Sequence, residues 1–177
     1  VTNCLGIKST AAQHVHAEKL LSQLPMLSLP LEYSYDFIMD MDGTVTPDKA
    51  LMPLLKTYVD AETDLSNCHV AQLPAVDGYR LLLICGNNAV GEGRFFLCSI
   101  DKQGKLTENL LIYTAQTILW KGKEENSFLH FKVNKGGQIM LNKTIVHNEK
   151  EVVISKKHIQ LRRGIFYYIS DWESVFY

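Results

Sequence analysis

The chain has 177 residues, of which 46% are hydrophobic and 21% charged, a composition that fits one globular domain and excludes an intrinsically disordered chain. Eighteen Lys and Arg residues oppose nineteen Asp and Glu residues, and a formal net charge of -1 provides no overall basic field for binding nucleic acid. No apolar run reaches the roughly 18–20 residues that a membrane-spanning helix needs.

The first part of the chain is predicted to contain two helices, one strand and a loop. A helix is predicted over 10–24, because Pro25 ends the helical pattern there. Residues 31–42 alternate apolar and polar side chains, which predicts a strand with one apolar and one mainly acidic face. Apolar residues at helical spacing predict a short helix over 47–58. Residues 60–78 are polar and are predicted to be a loop with at most one short strand.

From residue 79 onward the pattern predicts a series of strands separated by glycine-containing turns, such as those at 101–104 and 134–137. A spacing of roughly 8–12 residues is typical of antiparallel sheets, and no helix long enough to connect parallel strands intervenes. We therefore expect a mostly β (α+β) fold, an antiparallel β-meander, sandwich or barrel-like structure. Residues 1–8 are predicted to be a tether and 9–177 a single β-rich domain. The predicted strands are 79–85, 94–100, 106–113, 115–120, 127–133, 138–146, 151–155 and 158–169.

The four cysteines are Cys4, Cys68, Cys85 and Cys98, and their spacing matches no zinc motif. Cys85 and Cys98 lie in apolar, strand-like runs. They are predicted to be buried free thiols that behave as small hydrophobic side chains. A disulfide or a reactive thiol is the alternative for this pair.

One segment resembles an enzyme motif. Residues 37–45, with the sequence FIMDMDGTV, are similar to the first motif of the haloacid-dehalogenase-like phosphotransferases. The resemblance implies that Asp40 is the nucleophile that accepts a phosphoryl group and that Asp42 is a general acid or base. It also implies a magnesium ion that neutralises the phosphate. The alternation over 31–42 instead favours a half-exposed antiparallel strand, whereas that family's nucleophile ends a parallel strand buried on both faces.

Other candidate sites are less specific. Asp40 and Asp42 are the candidate carboxylates for a bound cation, although Lys49 and Leu51 do not fit a calcium-binding EF-hand loop. No serine, cysteine or histidine stands in a recognisable catalytic pattern. Basic and aromatic residues near the C-terminus can bind glycans, single strands or acidic proteins, but charges on the outer face and aromatics that pack the last strand are the favoured explanation. These residues are Lys156, Lys157, Arg162, Arg163, Tyr167, Tyr168, Trp172, Phe176 and Tyr177.

The first four residues, Val-Thr-Asn-Cys, followed by a polar tether and a β-rich body, resemble the mature start of Bacteroidota-type lipoproteins. Those proteins are often small domains of unknown function. The resemblance implies that Cys4 is a point of lipid attachment and that the chain is exported to the periplasm or cell surface. A cytoplasmic location is the alternative.

These observations predict a non-enzymatic β-rich binding or structural domain without a cofactor, whose partner is a protein or a glycan. No nucleic acid partner and no membrane span are expected. One alternative is a magnesium-dependent phosphatase that uses Asp40 and Asp42. The other is a β-barrel that holds a small apolar ligand, suggested by the aromatic face of residues 33–41.

Overall fold

The computed structural model describes the backbone of residues 16–173 and the side chains of residues 16–169. Helix α1 covers residues 16–22, α2 covers Tyr35–Asp40, and α3 covers Met52–Lys56 directly after a 3-10 turn at Lys49–Leu51. A second 3-10 turn covers Lys135–Gly137. The strands are β1 (Leu31–Glu32), β2 (Asp64–Val76), β3 (Tyr79–Asn87), β4 (Gly93–Ile100), β5 (Leu106–Trp120), β6 (Lys123–Val133), β7 (Gln138–His147), β8 (Lys150–Arg162) and β9 (Ile165–Glu173).

The strands form an antiparallel meander, as predicted. β2 to β9 lie side by side in chain order, and β1 pairs with β6. β5 pairs with β4 over residues 106–114 and with β6 over residues 115–120, so it joins two halves of the sheet. We call β2–β4 with the start of β5 the first half, and the end of β5 with β6–β9 the second half. Over residues 16–173, no helix combines the length and apolar character needed to cross a membrane.

Two hydrophobic cores lie on opposite faces of the first half. The inner core joins both halves, and its fully buried members include Leu81, Leu83, Leu97, Ile112, Val133, Ile139 and Ile159. The outer core lies between the first half and helices α1 and α3, and includes Leu21, Leu51, Leu55, Tyr58, Val70, Leu82, Ile84, Cys98 and Ile100. A strand buried on both faces must be apolar at consecutive positions, which explains the unbroken run at 81–85.

The strand predicted over 31–42 is wrong. β1 has only two residues, and Tyr35–Asp40 is helical because the Ser34 hydroxyl accepts a hydrogen bond from the Phe37 N–H at the helix N-terminus. Within and after α2, the side chains of Phe37, Ile38 and Met41 pack against the inner core. The same apolar residues fit both the helical and the strand period, and the Ser34 cap favours the helix.

The loop predicted over 60–78 is also wrong, because β2 occupies most of it. Register shifts between Asp64 and His69 and between Leu73 and Val76 interrupt the regular alternation, which hides the strand from sequence analysis. The helix predicted over 10–24 is confirmed at 16–22, and residues 10–15 lie outside the described residues. The helix predicted over 47–58 is confirmed at 49–56.

The later strands are confirmed with different limits. The predicted strands 106–113 and 115–120 are one continuous strand, β5, and β6 begins at Lys123 rather than at 127. The predicted strands 151–155 and 158–169 are divided at a different place, because the turn between β8 and β9 lies at 163–164.

Candidate functional site

A cleft of about 770 Å³ lies along β5, between residues of the first half and residues of the second half. We call it the β5 cleft. Its volume is within the range of roughly 300–1,000 Å³ that is common for small-molecule sites. One side is lined by Asp60, Arg94, Phe96, Asn109 and Leu111, and the other by Leu129, Leu141, Lys143, Ile154, Ser155, Lys157 and Tyr168. Leu110, Thr114, Gln116, Trp120 and Lys121 complete the lining.

Two β-bulges shape this cleft. In β5, Phe95 and Phe96 of β4 pair with Tyr113 and Leu111, which leaves Ile112 as an extra residue. This bulge lies where β5 passes from one half of the sheet to the other. Because a bulge bends a strand and increases its twist, it turns β5 at this point. In β8, the register shift between β7 residues Lys143 and Thr144 leaves Ile154 unpaired.

The second half contributes two lysines on neighbouring strands. Lys143 of β7 lies opposite Ser155 of β8, and Lys157 of β8 lies opposite Leu141, so the two lysines are diagonal neighbours on one face. Among the described side chains, no carboxylate forms an ion pair with either lysine. In the register of β9, Asp171 lies opposite Lys157. Lys143 has only Leu129 and Ser155 as its paired neighbours.

Aromatic rings accompany the cations of the cleft. Lys157 Nζ lies 5.4 Å from the ring centre of Tyr168, and Lys121 Nζ lies 4.5 Å from that of Trp120. The Trp120 ring also meets the His147 ring edge-on, with 5.4 Å between centres. These rings offer flat apolar surfaces beside positive charge.

Arg94 differs from Lys143 and Lys157 because a described carboxylate neutralises its charge. Its guanidinium donates hydrogen bonds to both carboxylate oxygens of Asp60 and to the Thr63 hydroxyl. The hydrogen bond from Arg94 lowers the pKa of Asp60, with a smaller contribution from Thr63. Asp60 is the only carboxylate that lines the described cleft, and it is already engaged.

The two aspartates of the phosphotransferase-like segment lie elsewhere. Asp40 is the last residue of α2, Asp42 lies in the following turn, and both are exposed. Neither follows a strand, and every ladder between the named strands is antiparallel. Among the side chains of residues 16–169, no group of three or more His, Cys, Asp or Glu could hold a metal ion.

The described cysteines are free and buried. Cys85 belongs to the inner core and Cys98 to the outer core, so they lie on opposite faces of the sheet and the disulfide alternative is wrong. Burial raises the pKa of both thiols far above their usual range, which opposes the reactive-thiol alternative. Cys4 lies outside the described residues, and lipid attachment and export stay predictions.

Few residues of the cleft stand out in the sequence. Lys157 and Tyr168 belong to the basic and aromatic residues noted near the C-terminus, whereas Lys143, Trp120 and Arg94 were missed. They are far apart in the sequence, and only the meander and its two bulges bring them to one cleft. A scan against protein-family models gave no match, and searches of curated proteins and of solved structures gave none either. The interpretation of the cleft therefore depends on its own residues.

Proposed function

We propose that the chain is a non-enzymatic β-rich binding domain and that the β5 cleft is its binding site. The observation that supports this most strongly is a cleft in which several leucine side chains lie beside two lysines that have no described carboxylate partner. Small-molecule sites combine apolar and aromatic side chains with polar groups that orient the ligand, and this cleft contains both kinds of side chain.

The lining favours binding over catalysis. General acid–base catalysis most often uses a histidine or a free carboxylate that exchanges a proton with the substrate. The described lining contains no His or Cys, and the Asp60 carboxylate is held by Arg94. The positive charges and aromatic rings can hold and orient a ligand without any such group.

The first test is binding of the fluorescent probe anilinonaphthalene sulfonate to the folded chain. We expect one probe per chain, and we expect Gln116→Trp to abolish binding because Gln116 lines the cleft and a larger side chain would fill it. Thr117→Trp is the matched control: side chains alternate across a strand, and the exposed Thr117 does not line the cleft. Equal binding by both variants would contradict the proposal.

The phosphatase alternative has its own readout. Magnesium-dependent hydrolysis of p-nitrophenyl phosphate that disappears in Asp40→Asn would replace the proposed function with that enzyme. We expect no such hydrolysis, since Asp40 and Asp42 lie on the exposed end of α2 rather than at the end of a buried strand.

A further inference from the structure

We propose that the ligand of the β5 cleft is a soluble amphipathic organic anion whose charged group binds between Lys143 and Lys157 while its apolar body lies on the cleft floor. This inference rests on the proposed function and adds the chemical class of the ligand. A carboxylate, sulfonate or phosphate monoester would supply the charged group.

The charge pattern of the cleft is the first argument. Lys143 and Lys157 are diagonal neighbours on one face of β7 and β8, and like charges so placed repel each other. Folded proteins normally relieve such repulsion with a nearby carboxylate, as Asp60 does for Arg94 in the same cleft. No described carboxylate does this for Lys143. An anion bound between the two lysines would supply a counter-charge to Lys143.

Hydrogen bonding is the second argument. Ser155 lies directly opposite Lys143 and two residues before Lys157 along β8, and it also lines the cleft. Its hydroxyl adds a neutral donor beside two ammonium groups. Three donors on one face suit an oxyanion, which accepts several charge-assisted hydrogen bonds at once.

The apolar floor is the third argument, because a small inorganic anion would not use it. Leu110 and Leu141 are buried at 8% and 4% exposure, and both line the cleft beside Leu129. The ring of Tyr168 lies beside Lys157 and is 58% exposed, so it can cover the ligand from the side. The ligand that matches these surfaces has an apolar or aromatic body attached to its anionic group.

Two fluorescent probes separate charge from shape. Anilinonaphthalene sulfonate carries a sulfonate, and N-phenylnaphthylamine has the same ring system without it. We expect the sulfonate to bind at least about tenfold more tightly at low ionic strength. Raising the salt concentration from about 20 to about 500 mM should weaken the binding of the sulfonate probe alone, because salt screens the charge interaction.

Variants of Lys143 locate the anionic group. Lys143→Gln should lower the affinity for the sulfonate probe about tenfold or more and leave the affinity for the neutral probe unchanged. Lys143→Arg should retain most of the affinity for the sulfonate probe. Lys102→Gln is the control, because Lys102 is exposed in the turn between β4 and β5 and lies outside the cleft. The melting temperature of each variant shows that it is folded.

The outcomes distinguish the two proposals. In one outcome, both probes bind with equal affinity, lose binding in Gln116→Trp and keep their affinity in Lys143→Gln. In that case the cleft binds ligands but the anion inference is wrong. If neither probe responds to Gln116→Trp, the proposed function is wrong as well. Selective loss of the sulfonate in Lys143→Gln supports both.

Discussion

Individual cations of the β5 cleft differ in whether the fold supplies them with a counter-charge. Arg94 is fixed by Asp60 and lies 3.7 Å from Glu62, so it joins the segment before β2 to strand β4. Lys143 has no such partner among the described side chains. Arg94 therefore contributes to stability, whereas Lys143 makes no such described ion pair.

The Asp60–Arg94 pair predicts a specific pH dependence. The pKa of Asp60 is lowered in the fold below its ordinary value of 3.8, mainly by the hydrogen bond from Arg94. Its contribution to stability is then fully present above that ordinary value and is lost as the pH falls through the folded pKa. We expect Asp60→Asn to cost no more than about 1 kcal/mol at neutral pH, since the carboxylate is partly exposed.

Urea unfolding of both proteins across the acid range measures this effect. The difference in unfolding free energy between wild type and Asp60→Asn should shrink as the solution becomes more acidic than the ordinary pKa of 3.8. Asp42→Asn is the control, because Asp42 is exposed and forms no described ion pair, so its replacement should change the unfolding free energy little. A difference that stays constant into strong acid would show that the carboxylate charge is not involved.

At the scale of elements, a turn connects distant parts of the sheet. The 3-10 turn Lys135–Gly137 joins β6 to β7, and Gly137 lies against the carbonyl of Leu161 in β8 and the side chain of Val76 in β2. A β-carbon at Gly137 would lie 2.9 Å from that carbonyl oxygen. This close approach holds the second half of the sheet against the end of β2.

Two adjacent glycines provide a matched test of this packing. Gly136 and Gly137 have φ values of 76° and 81°, but a β-carbon at Gly136 would meet nothing within 4 Å. Gly136→Ala should cost only the left-handed backbone penalty of about 1 kcal/mol. Gly137→Ala should cost about 1–3 kcal/mol more because of the added overlap. Chemical denaturation gives both values, and equal losses would mean that the turn can move away.

Segments outside the meander cover its first edge. Gln72 of β2 exchanges backbone hydrogen bonds with Pro25 and Leu27, and Val70 does so with Val45. Exposed edge strands can pair with other chains, so this cover reduces the tendency to aggregate.

At the scale of the whole molecule, strand β3 is shared by both cores. Leu82 faces the outer core and Leu83 the inner core, and both are 0% exposed. Helices α1 and α3 lie on the outer core, while the second half of the sheet lies on the inner core. Strand β4 is shared in the same way, with Leu97 in the inner core and Cys98 in the outer core, so the two cores are coupled through neighbouring strands. Such coupling is what a single domain over 9–177 would require.

Truncation of these neighbours tests the coupling. Leu82→Ala and Leu83→Ala should each lower the unfolding free energy by about 2–5 kcal/mol, as is usual for buried leucines. Each variant should still unfold in a single transition, with tryptophan fluorescence and far-ultraviolet circular dichroism giving the same midpoint. Separate midpoints in Leu82→Ala would show that the helices detach from the sheet and that the cores are independent.

Local chemistry explains which features could be predicted. The antiparallel series after residue 79 follows from alternating side chains and from turns that need a positive φ, as at Gly104 and Gly136. The strand predicted over 31–42 is wrong because Ser34 can cap a helix and because the same apolar residues fit both the helical and the strand period. Strand β2 was predicted as a loop because its register shifts break the alternation of apolar and polar side chains.

By itself, the sequence determined a mostly β fold of antiparallel strands, because this depends on neighbouring residues and on turn geometry. Only the tertiary structure decided the faces of the two cores, the cover of the β2 edge and the β5 cleft. Lys143, Lys157 and Trp120 meet there through strand register and two bulges, and register is set by long-range pairing that no local pattern encodes.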